Sequence, residues 1–145
     1  MEIVVKDSFK VVGIVVESDW QNIHQKMAVA WQEFKQRVGE IEQRKGNHFL
    51  DISLAVNDGI FQQMICVEVD KFPILPAGMR AMEIPQQTYI YFKHEDSVIT
   101  IDKSFGQMYD WAEANGYHAD DFKLDVGYIE PENTSHELYL RVQKV

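Results

Sequence analysis

The order strand, helix, strand, strand occurs twice along this chain, and this repeat constrains the fold more than any other feature. The first copy is predicted as a strand over Phe9–Val16, a helix from Asn22 to about Gly39, and strands over His48–Val56 and Phe61–Val69. The second is predicted as a strand over Gln87–His94, a helix over Ile101–Asn115, and strands over Phe122–Tyr128 and Glu137–Val142. Each copy needs its helix to bury its apolar strand face. The predicted fold class is therefore α+β, with two pseudo-symmetric βαββ modules that share one antiparallel sheet and carry two helices on one side.

Apolar periodicity supports both helices. The first stripe consists of Ile23, Met27, Trp31, Phe34 and Val38, and the second of Ile101, Phe105, Met108 and Ala112. Gly39 and Gly116 are the expected helix ends. The joint between the copies begins at Leu75 and is marked by Pro76, Gly78 and Pro85.

Turn and glycine signals complete this pattern. Asn57-Asp58-Gly59 is a strong hairpin signal, and a second hairpin turn is predicted at Glu130–Ser135. Gly13 lies inside the first predicted strand, where a missing side chain indicates a bulge or a closely crossing segment.

Alternation in the hairpin strands assigns side chains to sheet faces. Leu50 and Ile52 share one face of their strand, so Asp51 lies on the other. The matching alternation around Asp125 makes the two aspartates pseudo-symmetric, and we expect both to point away from the helices. By the same alternation Glu68, Glu137 and Tyr139 lie on that non-helical face.

Composition limits the classes of protein. With 145 residues, 46% of them hydrophobic and 12% aromatic, the chain suits one globular domain over residues 1–145, with module one at about 1–72 and module two at about 79–145. Neither a secretory leader nor a long apolar run is found, so we expect a cytoplasmic protein that does not span a membrane. The formal charge of −9 argues against direct binding to nucleic acid or to an anionic membrane.

No motif for a metal, a cofactor or a catalytic centre is present. Cys66 is the only cysteine, and the five histidines lack metal-ligand spacing, so we expect no metal site and surface positions for the histidines. The sequence contains neither a glycine-rich phosphate loop nor a nucleophile paired with a base. A buried carboxylate could still serve as a catalytic acid, which leaves enzymatic activity an open alternative.

Aromatic residues outside the helix stripes point to a ligand site. Trp20 precedes the first helix and Trp111 lies off the second stripe, while Tyr89, Tyr91, Tyr109 and Tyr117 crowd the second module. Aromatic rings beside carboxylates bind lipophilic cations, because the ring faces and the acid both attract positive charge. The alternative is that the carboxylates form a solvated back of the sheet.

Three segments carry a family resemblance: Leu75–His94, Trp111 followed by Gly116-Tyr117, and Glu137-Leu-Tyr-Leu-Arg-Val142. They resemble three parts of the gyrase-inhibitor-like small-molecule-binding domain. In order, these are its proline-glycine joint with the Ile-Pro-x-x-x-Tyr-x-x-Phe strand that follows, the end of its second helix, and its closing strand. This domain is also the effector-binding domain of AraC-type and MerR-type transcription regulators. The resemblance implies a ligand groove between the two modules and, with no DNA-binding segment before the domain, a stand-alone member.

The resemblance also implies a set of ligand-binding residues. Family members bind bulky aromatic, often cationic, compounds through an acid and several aromatic rings. The usual acid is a Glu two residues before a Tyr; the matching positions here are Lys123 and Asp125, so Asp125 is expected to substitute. The candidate ligand-binding residues are Trp20, Asp51, Met64, Glu68, Tyr91, Trp111, Asp125, Glu137 and Tyr139.

Three functions remain in competition. The first is binding of a lipophilic aromatic small molecule, with a cation favoured by the acids, for sensing or sequestration. The second, implied by some stand-alone relatives, is hydrolysis of a reactive genotoxic compound by a groove carboxylate such as Glu68 or Glu137. The third is a protein-interaction role, with gyrase or a regulator as the partner.

Overall fold

The structure, a computed structural model, describes residues 1–128 and 135–145, apart from the side chain of Tyr128. Its strands are β1 (Glu2–Lys6), β2 (Phe9–Asp19), β3 (Arg44–Asn57), β4 (Ile60–Val69), β5 (Arg80–Ile84), β6 (Gln87–His94), β7 (Tyr117–Tyr128) and β8 (His136–Lys144). Its helices are α1 (Trp20–Arg37) and α2 (Ile101–Ala114), each adjoined by a short 3₁₀ helix, at Val38–Glu40 and Val98–Thr100 respectively. Each predicted strand and helix is present. Of the second hairpin turn, predicted at Glu130–Ser135, residues 130–134 lie outside the described residues.

All eight strands join one antiparallel sheet in the order β1-β6-β8-β7-β3-β4-β2-β5. If β1–β4 are exchanged with β5–β8, the strand order reads the same from the opposite edge of the sheet. A pseudo-twofold axis therefore passes between β3 and β7. The short strands β1 and β5 were not predicted. Each pairs with the other module: β1 lies against β6, and β5 lies against β2. This exchange joins the modules at both edges of the sheet as well as at its centre.

Local sequence signals explain how the elements begin and end. The Asp19 carboxylate accepts a hydrogen bond from the backbone N–H of Asn22 (3.0 Å) and caps α1. Gly116 follows α2 with a φ of 78°, the left-handed geometry expected at a helix end. Asp58 and Gly59 also have positive φ values, as a two-residue type I′ hairpin turn requires.

Gly13 marks a close approach between strands, as predicted. It lies opposite Cys66 in the β2–β4 pair. A Cβ atom at Gly13 would collide with the carbonyl oxygen of Ile65 and lie 2.6 Å from the Cα of Cys66. Only glycine fits this position without moving the neighbouring strand.

Both helices pack on the same face of the sheet. Ile23 and Phe34 of α1 cover one half of that face, where they meet Ile65 and Val67 of β4. Phe105 and Met108 of α2 cover the other half, with buried side chains from β6 and β8. The central strands contribute to both packing areas, with Phe49 of β3 in the α1 cluster and Ala119 of β7 against the α2 cluster.

The opposite face carries a core of its own. Ile52, Met64, Tyr89 and Leu124 are fully buried there, although no helix residue belongs to their cluster. Side chains on an open sheet face without a covering layer would contact water. The sheet must therefore curl, so that its own strands cover this face.

The prediction that Asp51 and Asp125 point away from the helices is wrong. In β3, Phe49 belongs to the cluster under α1, whereas Leu50 and Ile52 belong to the opposite cluster. Alternation therefore places Asp51 on the helical face. Asp125 is its register partner in β7 and lies on the same face.

Candidate functional site: a groove between the helices

A groove of about 520 Å³ opens between α1 and α2. Its lining comes from both helices and from the central strands: Trp20, Ile23, His24, Met27, Trp31, Asp51, Ser53, Phe61, Gln63, Asp102, Phe105, Gly106, Tyr109 and Lys123. The volume lies within the range of pockets that hold drug-sized molecules. The groove follows from the fold, because two helices on one face leave the sheet between them uncovered.

The walls of the groove are largely apolar and aromatic. On α1, residues at positions 20, 23, 24, 27 and 31 share one helical face, which begins with the exposed ring of Trp20. Trp20 packs against Phe61 with ring centroids 5.4 Å apart. On α2, the rings of Phe105 and Tyr109 face the groove on either side of Gly106, where a Cβ would meet nothing within 4 Å. The missing side chain at Gly106 keeps the middle of the groove open.

Asp51 lies half-buried on the groove floor. Gln63 donates a hydrogen bond to its carboxylate (3.3 Å), and among the described residues it forms no ion pair. The pKa of Asp51 is raised to about 7, chiefly by burial and then by the nearby Asp125 and Asp102, while Lys123 acts to lower it. The charged form is thus poorly compensated inside the protein, so a cation in the groove would stabilise it.

Asp125 faces the same region but is already engaged. The distance between its carboxylate oxygen and Nδ1 of the fully buried His136 is 2.7 Å. It borders a recess of about 160 Å³ that shares Asp51 and Lys123 with the groove. Asp51 and Asp125 are register partners across the pseudo-twofold axis, yet the first is open to the groove and the second is bound to a histidine.

Two histidines contradict the expectation that all five lie on the surface. His136 is fully buried beside Asp125, and His94 is almost fully buried beneath α2. The His94 ring is 2.8 Å from both the Ser104 hydroxyl and the Ser97 carbonyl oxygen. Because a carbonyl can only accept, Nε2 donates to Ser97, and in the neutral ring Nδ1 then accepts from the Ser104 hydroxyl. Both rings are held by polar partners in the core, which the sequence pattern could not show.

Lys123 projects from β7 into the groove beside Asp51. Its ammonium nitrogen lies 5.7 Å from the ring centroids of both Phe105 and Tyr109. Burial lowers the pKa of Lys123, while the nearby Asp121, Asp102 and Asp51 act in the opposite direction. The groove therefore places the positive Lys123 next to Asp51 on its floor, with Asp102 of α2 as a second carboxylate in the lining.

The structure separates the predicted site residues into three places. Trp20 and Asp51 lie in the groove, and Asp125 borders its adjoining recess. A polar recess of about 180 Å³ on the opposite sheet face contains Glu68, Glu137 and Tyr139. The predicted residues that lie at none of these recesses are Tyr91, Met64 and Trp111, and each has a structural contact that accounts for its position.

Those contacts are specific. The Tyr91 hydroxyl donates to Glu137 (2.9 Å) beside the opposite recess. Met64 is fully buried in the core of that face. Trp111 stacks on Tyr117, with ring centroids 6.2 Å apart, at the end of α2.

Several groove residues were not predicted to bind ligand. Met27, Trp31 and Phe105 were assigned to the helix stripes, which normally means core. They are part of those stripes, but each stripe is wider than the strip of sheet beneath its helix. One edge of each stripe therefore faces the groove, and periodicity alone does not distinguish these edge residues from the core.

An aromatic groove over a curled antiparallel sheet defines a small-molecule-binding domain of the effector-binding class. Residues 2–142 match the family described as integron-associated effector binding protein. The chain belongs to this family. A comparison with curated proteins found no match.

Solved structures share the fold over nearly the whole chain. One is SAV2435 bound to tetraphenylphosphonium, with a TM-score of 0.74, 16% identity, and coverage of 99% of this chain and 94% of that one. An integron cassette protein from the mobile metagenome of Vibrio cholerae has a TM-score of 0.73, 14% identity, and coverage of 98% and 95%. The C-terminal domain of EcmrR has a TM-score of 0.71, 14% identity, and coverage of 99% and 97%. These similarities confirm the predicted fold class.

Proposed function

We propose that this chain is an effector-binding protein that holds a lipophilic aromatic cation in the groove between α1 and α2, for sensing or sequestration. The observation that carries the proposal is Asp51, a half-buried carboxylate at the floor of an aromatic groove. An ionised carboxylate in such a place is costly unless a positive group approaches it. Lys123 offsets this cost only in part, because the pKa of Asp51 remains raised to about 7, and a ligand cation would offset more of it.

The aromatic walls supply the second part of the affinity. Trp20 and Phe61 lie on one side of the groove, and Phe105 and Tyr109 on the other. Each ring face that contacts a cation contributes about 0.5–2 kcal/mol, in addition to the burial of apolar ligand surface. A flat or propeller-shaped aromatic cation would contact both walls while its charge faces the floor.

The structural comparison adds support from a relative of the same fold. SAV2435 was solved with tetraphenylphosphonium, which is a lipophilic aromatic cation. At 16% identity this similarity concerns the fold, so the support for cation binding in this chain comes from its own groove.

The test is a titration with tetraphenylphosphonium and with the neutral triphenylphosphine oxide, followed by tryptophan fluorescence. Trp20 and Trp31 line the groove and report occupancy. We expect saturable binding of the cation, and a loss of about tenfold or more in affinity on Asp51→Asn, which corresponds to about 1.4 kcal/mol.

Glu68→Gln is the matched control, because it removes one carboxylate charge from the opposite sheet face. The cation affinity of this variant should stay within about twofold of the wild-type value, because the charge of Glu68 lies on the other side of the sheet and is largely screened by salt. Equal losses in the two variants would mean that only the net charge of the protein attracts the cation. No saturable signal with either compound would refute the proposal.

The hydrolase alternative has no comparable support. The carboxylates named for it, Glu68 and Glu137, lie at the recess on the opposite face and not in the groove. Glu137 there accepts the hydrogen bond from Tyr91.

A further inference from the structure

Lys123 is a positive group inside a groove that also contains a cation-binding carboxylate. It is half-buried on the floor, with its ammonium nitrogen 5.7 Å from the Phe105 and Tyr109 ring centroids. Among the described residues it forms neither an ion pair nor a hydrogen bond. By contrast, the exposed lysines Lys93 and Lys45 form ion pairs, with Glu95 and Glu68 respectively.

The position of Lys123 has a consequence for the ligand. A lysine ammonium has three donors, and because those of Lys123 have no acceptor among the described residues, water satisfies them. A ligand that fills the groove removes this water. If the ligand were only a cation, it would leave these donors without an acceptor, which costs free energy. It would also bring a second positive charge close to Lys123, and the repulsion between the two charges would weaken binding.

Asp51 and Lys123 together are complementary to a dipolar molecule. We propose that the preferred ligand of the groove is a lipophilic aromatic zwitterion, with its cationic centre facing Asp51 and a carboxylate or similar acid group accepting hydrogen bonds from Lys123. This inference rests on the proposed function, since it assigns the ligand class of the same groove. It predicts that Lys123 selects among aromatic cations by the acid group they carry.

The alternative explanation is that Lys123 has only a structural role. Its aliphatic stem would then cover the Phe105 and Tyr109 rings, with its charge directed to solvent. In that case ligands with and without an acid group would bind equally well.

Rhodamine B and its ethyl ester separate these explanations. Both carry the same cationic xanthene, and only rhodamine B has a free carboxylate. Fluorescence anisotropy at constant pH and ionic strength gives the affinity for each dye, and visible absorbance verifies that bound rhodamine B remains the open zwitterion. We expect wild type to bind rhodamine B roughly tenfold more tightly than the ester, the scale of one charge-assisted hydrogen bond.

Lys123→Met should remove this preference, because Met keeps an apolar chain against the rings but has no donor. The ratio of the two affinities should fall to within about twofold of one, with the ester bound at least as tightly as by wild type. Lys93→Met is the control for net charge, because it removes one exposed lysine from β6 outside the groove. It should keep the wild-type preference, and thermal unfolding of each variant verifies folding.

The outcomes distinguish this inference from the function on which it rests. If the ester binds in an Asp51-dependent manner but rhodamine B binds no better, cation binding stands and the zwitterion inference is overturned. The same holds if the preference persists in Lys123→Met. If neither dye nor tetraphenylphosphonium binds, both proposals fail.

Discussion

Asp51→Asn should abolish a pH dependence that the wild-type protein carries. The pKa of Asp51 is raised from its ordinary 3.8 to about 7, chiefly by burial and then by Asp125. The folded protein therefore holds this proton more tightly than the unfolded chain does. As a result, the free energy of unfolding decreases as the pH rises from about 4 through 7.

The magnitude follows from the two pKa values. Each pKa unit corresponds to about 1.4 kcal/mol, so the full difference would be roughly 4 kcal/mol at pH 8. Because Asp51 is only half-buried, solvent screening reduces this difference to the order of 2 kcal/mol. Asp51→Asn should therefore be more stable than wild type by about that amount at pH 8, with the difference disappearing near pH 4.

Ligand affinity should show the opposite trend. A cation binds best to the ionised carboxylate, and a group with a pKa of about 7 is about 90% ionised at pH 8 but only about 1% ionised at pH 5. The affinity for tetraphenylphosphonium should then decrease by between roughly tenfold and a hundredfold from pH 8 to pH 5. In Asp51→Asn the affinity should be lower at pH 8 and nearly independent of pH.

Urea unfolding at pH 4, 6 and 8 and fluorescence titrations at pH 5 to 8 measure the two effects. His24 also lines the groove, so His24→Gln is the control and should retain the wild-type slope. A pH slope in Asp51→Asn equal to that of wild type would refute the assignment of Asp51 as the titrating group. Equal stabilities of wild type and Asp51→Asn at pH 8 would refute the burial argument.

Three further substitutions test the groove and its frame. Gly106→Leu should fill the groove and abolish dye binding measured by anisotropy. The free energy of unfolding should rise by about 0.5–1 kcal/mol, because glycine is a poor helix former. Retained dye binding would place the ligand outside this groove. Gly13→Ala should destabilise the protein by about 3 kcal/mol or more in urea unfolding, because its Cβ would collide with the backbone of β4. Trp111→Ala should lower the free energy of unfolding by about 3 kcal/mol, because the packing on Tyr117 is lost. Dye affinity should stay within about twofold of the wild-type value; a larger loss would indicate that Trp111 contacts the ligand.

Local patterns were sufficient to predict most of the fold. The stripe of α1 and the Asp58-Gly59 turn depend on residues near one another in sequence, and the structure confirms both. The close approach at Gly13 is also confirmed; the glycine alone indicated it, although its partners Ile65 and Cys66 lie in another strand. The short strands β1 and β5 were missed for the opposite reason. Each has five residues and pairs with the other module, so its strand character depends on a distant partner.

The sheet faces show where the sequence is ambiguous. Alternation correctly separated Asp51 from Leu50 and Ile52, but it does not show which set faces a helix. The expectation assumed that only the helices cover apolar side chains. Because the curled sheet buries its other face as well, the apolar set lies there, and the polar set lies on the groove floor.

The duplicated fold also determines how a ligand is oriented. If two identical chains formed this sheet, Asp51 and Asp125 would have identical surroundings, and a ligand on the axis could enter in two equivalent orientations. In a single chain the equivalent positions differ: Asp51 faces the open groove, whereas Asp125 is 2.7 Å from His136. The groove therefore has two distinguishable ends, and an asymmetric molecule bound there has one preferred direction.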